Sequence, residues 1–271
     1  MIFGTKPKKK LSLKPSDKRK ISLLNVDFKI MSGVEAARLR STMTRTVSAH
    51  QLVAGSDRRI HHGIALARDA IQAAGKSKLG CGILDTDLVS AFCNMVLFWA
   101  IQVMRRKGMC QEACSRLLNL YKSNFSIIVV NNTPGKCIEN VRLTIRQGDK
   151  ISMEIFTFGI DPVLEYLETR LQGILIHSLP VHGPVPPPLH APAHLRPSRR
   201  TTSRRRDQND NTNLPNLELR YKLIGYCDDL KPSISTMEEF LIVDRCMMIF
   251  EKSSGCMMHR DPTSGNVNFY L

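Results

Sequence analysis

A mixed α/β (α+β) fold, a small antiparallel sheet backed by helices, is what this 271-residue sequence predicts. Three observations point there. Two apolar runs, "GCGILDTD" (80–87) and "ELRYKLIGY" followed by Cys-Asp-Asp (218–229), read as buried strands that end in acids. Two further runs, "FSIIVVNN" (125–132) and "CIENVRLTI" (137–145), are β-rich and joined by "TPGK", a hairpin signature. Between and after them lie long segments with apolar residues at helical spacing.

Taken in order, residues 6–20 ("KPKKKLSLKPSDKRK") are basic and irregular, and the pattern from Ile21 to Ala37 is mixed. After the strand at 80–87, "SAFCNMVLFWAIQVMRRKG" (90–108) predicts a helix with basic residues in its last turn and Gly108 as its stop. A second helix is expected over 111–123, then the hairpin, then a turn at "RQGD" (146–149). Residues 151–174 predict a further helix, broken or kinked at Pro162. The stretch 179–216, rich in Pro, Arg, Asn and Thr, has too few large apolar residues to offset ordering entropy and predicts a disordered basic insertion. A strand resumes at 218–226. The last helix, 235–255, has a strong start, since Ser235 with Glu238 and Thr236 with Glu239 both fit a capping box. Gly255 supplies its stop.

The formal net charge is +15 and the pI about 9.7. Such an excess of Lys and Arg fits a polyanionic partner, because these side chains neutralise phosphates and release condensed counterions. Eight cysteines are scattered without a Cys-x-x-Cys pair, and no Cys/His cluster has zinc-ligand spacing. No secretory leader and no bilayer-length apolar run occur, so the expectation is a soluble intracellular protein, nuclear or cytoplasmic, without membrane contact. His61–His62 reads as part of a surface helix. Trp99 and the Met-rich "RCMMIF" read as core.

Adjacent aspartates alone mark an exposed turn. Asp228 and Asp229 instead follow an apolar strand, and a second strand ends in Asp85 and Asp87. Two strands delivering carboxylates to one end make a hard-oxygen site, which a divalent cation would neutralise. Such a site inside a basic chain suits a polymerase or nuclease better than a small-molecule hydrolase.

The residues in this arrangement resemble the reverse transcriptases of non-LTR (LINE-type) retrotransposons. "ILDTDLVSAF" (83–92), "RQGDKIS" (146–152) and "GYCDDLKP" (225–232) are similar, in that order, to the family's A, B and C motifs. "KRKISLLNVDFKI" (18–30) resembles its fingers segment and "SSGCMMHRDPTSG" (253–265) its D region. The resemblance implies an RNA-directed DNA polymerase: RNA template, DNA primer and dNTP as partners, and two Mg²⁺ ions, replaceable by Mn²⁺, as cofactors. It selects Asp87, with Ala91 and Phe92 following, as the motif A aspartate, and makes Asp85 a neighbour. Asp87 and Asp228 would hold the metals, Asp229 being the more peripheral. Phe92 would exclude a 2′-hydroxyl. Arg146, Gln147 and Gly148 would position template base and incoming nucleotide, and Arg19 would touch the triphosphate. Tyr226 and Cys227 are motif C neighbours.

The organisation implied is partial fingers at 1–80, palm at 81–178 and 217–271 around the insertion at 179–216, and no thumb. Cys93, Lys150 and Met257 depart from residues usual in the family. With the insertion they suggest a truncated or decayed copy, for which a catalytically inactive nucleic-acid-binding remnant is the alternative.

Overall fold

The structure is a computed structural model. It describes residues 2–5, 18–54, 58–77, 80–122, 125–130, 132–138, 144–179, 217–258 and 268–270. In chain order the elements are β1 (Ile2–Thr5), β2 (Lys18–Ile21), α1 (Val26–Thr46), α2 (Ile60–Ser77), β3 (Gly82–Asp85), α3 (Ala91–Asn94), α4 (Leu97–Arg106) and α5 (Gln111–Tyr121). There follow β4 (Ser126–Val130), β5 (Thr133–Ile138), α6 (Ser152–Arg170), β6 (Ile174–Leu179), β7 (Leu217–Tyr221), β8 (Leu223–Tyr226), β9 (Asp229–Ile234), α7 (Met237–Ser254) and β10 (Asn268–Tyr270).

A four-stranded antiparallel sheet in the order β10-β3-β9-β8 is the frame, as the sequence predicts. Its strands are short and bury side chains on both faces. Leu84, Leu223 and Leu230 join a large core with α1 and the helices from α3 to α7. Their alternating neighbours Ile83 and Ile224 join a smaller cluster with Ala70 and Ala74 of α2, Ile174 and Tyr221. The pairs β1–β2, β4–β5 and β6–β7 form separate two-stranded ribbons.

Helix α6 is buried nearly all round and is the column on which α1, α4 and α7 pack. It continues unbroken through Pro162, so the residue does not end the helix. The lost hydrogen bond and ring clash cost roughly 3 kcal/mol. Burial of Ile155, Phe156, Phe158, Ile160, Val163, Leu164 and Leu167 outweighs this, at about 1.5–3 kcal/mol for each large side chain.

Three further expectations change, each through a partner distant in sequence. The helix expected over 90–108 is interrupted at Met95–Val96: Val96 N donates to Ser254 O at 2.7 Å, Ile145 N to Met95 O at 3.2 Å, and Val96 bridges Thr144. The strand expected over 218–226 divides at Lys222. Its first half pairs with β6 and its second with β9, while the Lys222 carbonyl accepts from Ser233 N at 2.8 Å. In the β4–β5 hairpin "TPGK" lies inside β5, and the turn falls before it, with Val130 opposite Thr133 and Asn132 at φ 62°.

The last helix starts and stops as expected. Thr236 Oγ1 accepts from Glu239 N at 3.1 Å, and Gly255 closes the helix at φ 78°. The insertion expected at 179–216, Leu179 apart, lies outside the described residues, as do 6–17 and 259–265. No helix among the described residues is long and apolar enough to cross a membrane.

Candidate active site

Strand register brings the acids together. Antiparallel β3 and β9 pair Gly82 with Ile234 and Ile83 with Ser233, and an added bridge pairs Thr86 with Leu230. Thr86 reinforces it, its N and Oγ1 both donating to Leu230 O at 3.0 Å. The same register carried one residue further sets Asp87 opposite Asp229, and one step back it sets Asp85 opposite Lys231. Lys231 Nζ is in fact ion-paired with Asp85. Asp85 is therefore a charge-compensated neighbour of the cluster.

Asp228 occupies the two-residue loop between Tyr226 and Asp229 at the tip of the β8–β9 hairpin. Burial pushes its carboxyl above the usual carboxylate range, and the charges of Asp229 and Asp87 push in the same direction. Hydrogen bonding of its own carboxyl to backbone and to Cys227 opposes the rise. Asp229 is also raised, first by burial and then by Asp87 and Asp85, against the pull of Lys231. Asp228 thus feels Asp229 and Asp87, and Asp229 feels Asp87 and Asp85. Among the described residues, no trio of His, Cys, Asp or Glu is gathered at metal-ligand spacing. The chemistry of the donor set fits a hard divalent cation nonetheless: Asp87, Asp228 and Asp229 could offer carboxylate oxygens, and a cation would relieve the repulsion that Asp229 and Asp87 exert on Asp228.

The motif A turn leads from Asp87 to Phe92. Ser90 adopts the left-handed conformation (φ 48°) just before α3, and Ala91 is buried. Phe92 is half-buried, its ring 5.0 Å from that of Phe156. Beside this turn runs the D region: Val89 N donates to Met257 O at 2.8 Å and Leu88 bridges Met258. Met257, where the family often has lysine, is exposed. Tyr226 is exposed and Cys227 buried, the thiol held well above its ordinary pKa by that burial.

The residues of the "RQGD" turn divide. Gly148 has φ 105°, and a Cβ there would stand 3.0 Å from Ser22 O, so only glycine lets the turn press against the end of β2. Ser22 N donates to Gln147 O at 2.9 Å across the same contact. Arg146 sets its guanidinium against both Phe28 and Tyr121, 4.9 Å from each centroid, in the corner where the two rings meet edge to face. Tyr121 in turn donates to Asp149 at 2.8 Å. The Arg146 side chain is thus occupied inside the protein, while its backbone carbonyl accepts from Ser152 Oγ at 2.7 Å. Arg19 lies on β2, opposite Gly4. His61 and His62 are exposed on α2, and Trp99 packs near Phe250 and donates to Gly159 O at 2.8 Å.

One residue at this site carries no local signal in the sequence. Gln51, fully buried, accepts from Cys227 N at 3.0 Å through Oε1 and donates to Cys227 O at 3.4 Å through Nε2. The parallel bridge from Gln51 to Gly225 brings it there.

Carboxylates at one end of the inner strands β3 and β9, a Gly turn against a basic strand and an aromatic after the motif A turn stand where the motifs of a nucleic-acid polymerase would put them. The chain belongs to the reverse transcriptase (RNA-dependent DNA polymerase) family, whose sequence model matches residues 6–259. Enzymes of this family generally use divalent metal ions. A transposon protein is among its relatives. That relative, the "Transposon TX1 uncharacterized 149 kDa protein" of Xenopus laevis, is 25% identical over 158 residues, covering 58% of this chain and 12% of its own length. The chain thus spans a small part of that relative. Among solved structures, Candida albicans telomerase in complex with a TWJ fragment of telomeric RNA has a TM-score of 0.44 at 8% identity, over 87% of this chain and 33% of that one. An apo Candida tropicalis telomerase truncated from its C-terminal domain has a TM-score of 0.43 at 8% identity, over 90% and 42%.

Proposed function

We propose that this chain performs RNA-directed DNA synthesis, with Asp87, Asp228 and Asp229 as the carboxylates that hold two Mg²⁺ ions. The supporting observation is the β3–β9 register, which sets Asp87 across from Asp229 at the hairpin tip that carries Asp228. Bound cations would supply charge stabilisation to the attacking and leaving oxygens of phosphoryl transfer.

The chain's own residues would do the rest by positioning. Phe92, braced by Phe156, would wall the side of the nucleotide site that meets the sugar 2′ position. Gln147 and Gly148 would face the template base and incoming nucleotide, with Arg146 supporting that turn from within. Arg19, on the ribbon beside it, would approach the triphosphate. Fingers at 1–80 and palm at 81–178 and 217–271 are the division that fits these roles.

Primer extension with Mg²⁺ on an RNA template is the test. The expected result is DNA synthesis by the native chain and a loss of about 10³-fold or more in the Asp228→Asn variant. Salt-sensitive RNA binding without extension would instead leave the inactive remnant as the correct description. Offering NTP against dNTP tests Phe92. Phe92→Val should accept NTP at least about tenfold better relative to dNTP, and equal use of both by the native chain would exclude a sugar gate.

A further inference from the structure

We infer that Gln51 is a positioning residue for the aspartate-bearing turn: its buried side-chain amide clamps both backbone polar groups of Cys227 and so fixes where Asp228 is presented. The functional half of the inference rests on the polymerase role proposed for Asp228.

The turn needs holding. Cys227 sits at φ 58°, a left-handed conformation that disfavours any residue with a Cβ, and its loop is only two residues long. Strained backbone of this kind persists only where the surroundings over-determine it. Gln51 meets that need, because one amide both accepts from the Cys227 N–H and donates to its carbonyl. Both groups are out of reach of solvent, since Gln51 is 0% and Cys227 4% exposed.

The amide is itself fixed in place. Leu52 N donates to Gly225 O at 2.8 Å and Gly225 N to His50 O at 2.9 Å, so the 50–52 segment is stitched to β8 two residues before the turn. Gly225 permits this approach: a Cβ there would lie 3.3 Å from Gln51 Nε2 and 3.2 Å from Leu164 Cδ2. Behind the segment, the Arg58 guanidinium donates to Ser48 O at 2.6 Å, Gln51 O at 3.1 Å, Thr44 O at 3.2 Å and Val47 O at 3.3 Å. Ser48 N donates to Asp161 Oδ1 at 2.8 Å. Helix α6 therefore braces the loop, the loop aims Gln51, and Gln51 holds the residue next to Asp228.

Hydrogen exchange on the full chain without divalent ions tests the clamp directly. The Cys227 amide should be protected in the native protein and should exchange at least about tenfold faster in Gln51→Ala, with the β3–β9 amides unchanged. A native Cys227 amide that exchanges as fast as an open loop would overturn the clamp, whatever the chain's activity. In RNA-templated extension, Gln51→Ala should lower kcat about tenfold, keep KM for dNTP within about twofold, and raise the Mg²⁺ concentration for half-maximal rate. Adding Cys227→Gly, which removes the cost of the left-handed position, should restore most of that kcat. A folded Gln51→Ala variant that Cys227→Gly fails to restore would show that Gln51 does not act through the turn. Should Gln51→Ala not fold, Gln51→Glu keeps the acceptor for Cys227 N and drops the donor to its carbonyl. Exchange at Cys227 faster in Gln51→Glu than in the native chain supports the clamp, and unchanged exchange opposes it. If the native chain extends no primer while its Cys227 amide is protected, the clamp stands and the polymerase proposal falls.

Discussion

Replacing Asp228 with Asn removes the carboxylate on which the charges of Asp229 and Asp87 both act at the β8–β9 turn. Burial and the Asp229 and Asp87 charges raise the Asp228 carboxyl, so at neutral pH its ionised form opposes folding when no cation is bound. The variant that loses extension should therefore melt higher than the native chain in the presence of a chelator. Relief worth about 1 kcal/mol corresponds to a gain of about 2–4 °C in Tm. Added Mg²⁺ should narrow the gap by stabilising the native chain more, and thermal unfolding with and without the ion reads both effects. A lower Tm for Asp228→Asn in chelator would mean that the carboxylate's own hydrogen bonds outweigh the repulsion. At this scale the sequence was informative where chemistry is written in adjacent residues: the acids of "DTD" and "CDD" announce themselves. The partners that tune them do not, because Lys231 meets Asp85 through strand register and Gln51 meets Cys227 across 176 residues of chain. Arg146 shows the converse, since a motif predicts its place in a turn but not the ring contacts that occupy its side chain.

Helix α7 illustrates what an element reveals of itself. Its capping box was legible because Thr236, Glu239 and Gly255 are local signals, and the helix begins and ends where they stand. Less legible was how far the Glu239 carboxylate reaches. Buried to 3% exposure, it accepts from Ser235 N and from Gln172 N, each at 2.7 Å, and so ties the start of α7 to the end of α6. Thr236→Ala should then cost about 1 kcal/mol, the ordinary loss of a cap. Glu239→Ala should cost more, about 2–4 kcal/mol, since two backbone donors lose a buried, charged acceptor. Urea unfolding of the two variants compares them, and equal losses would show that the tie to α6 contributes nothing. The elements that sequence misdrew, the helix at 90–108 and the strand at 218–226, fail for the same physical reason. Their interruptions at Val96 and Lys222 are imposed by carbonyls and strands far along the chain, for which periodicity holds no trace.

Over the whole molecule, charge and chemistry occupy different parts of the sequence. Eight Lys and Arg against one Asp over 6–20, with six Arg against two Asp over 179–216, account for eleven of the fifteen net positive charges. The carboxylates of the site belong instead to strands whose positions are set by hydrogen bonding within the sheet. Binding and catalysis should therefore respond separately to substitution. RNA affinity should fall about a hundredfold or more between 50 and 200 mM salt, the loss expected for roughly four or more neutralised phosphates. Replacing Lys8, Lys9 and Lys10 with Ser should flatten the plot of log affinity against log salt by up to about 0.9 for each lysine that contacts a phosphate, to a similar extent on every RNA sequence. Asp228→Asn should leave that slope alone while it removes extension. Fluorescence anisotropy across a salt series measures the first effect and saturating-template extension the second. A lysine variant that lost extension at saturating template with its salt slope unchanged would place those lysines at the chemistry, and the division of labour between basic segments and acidic sheet would have to be abandoned.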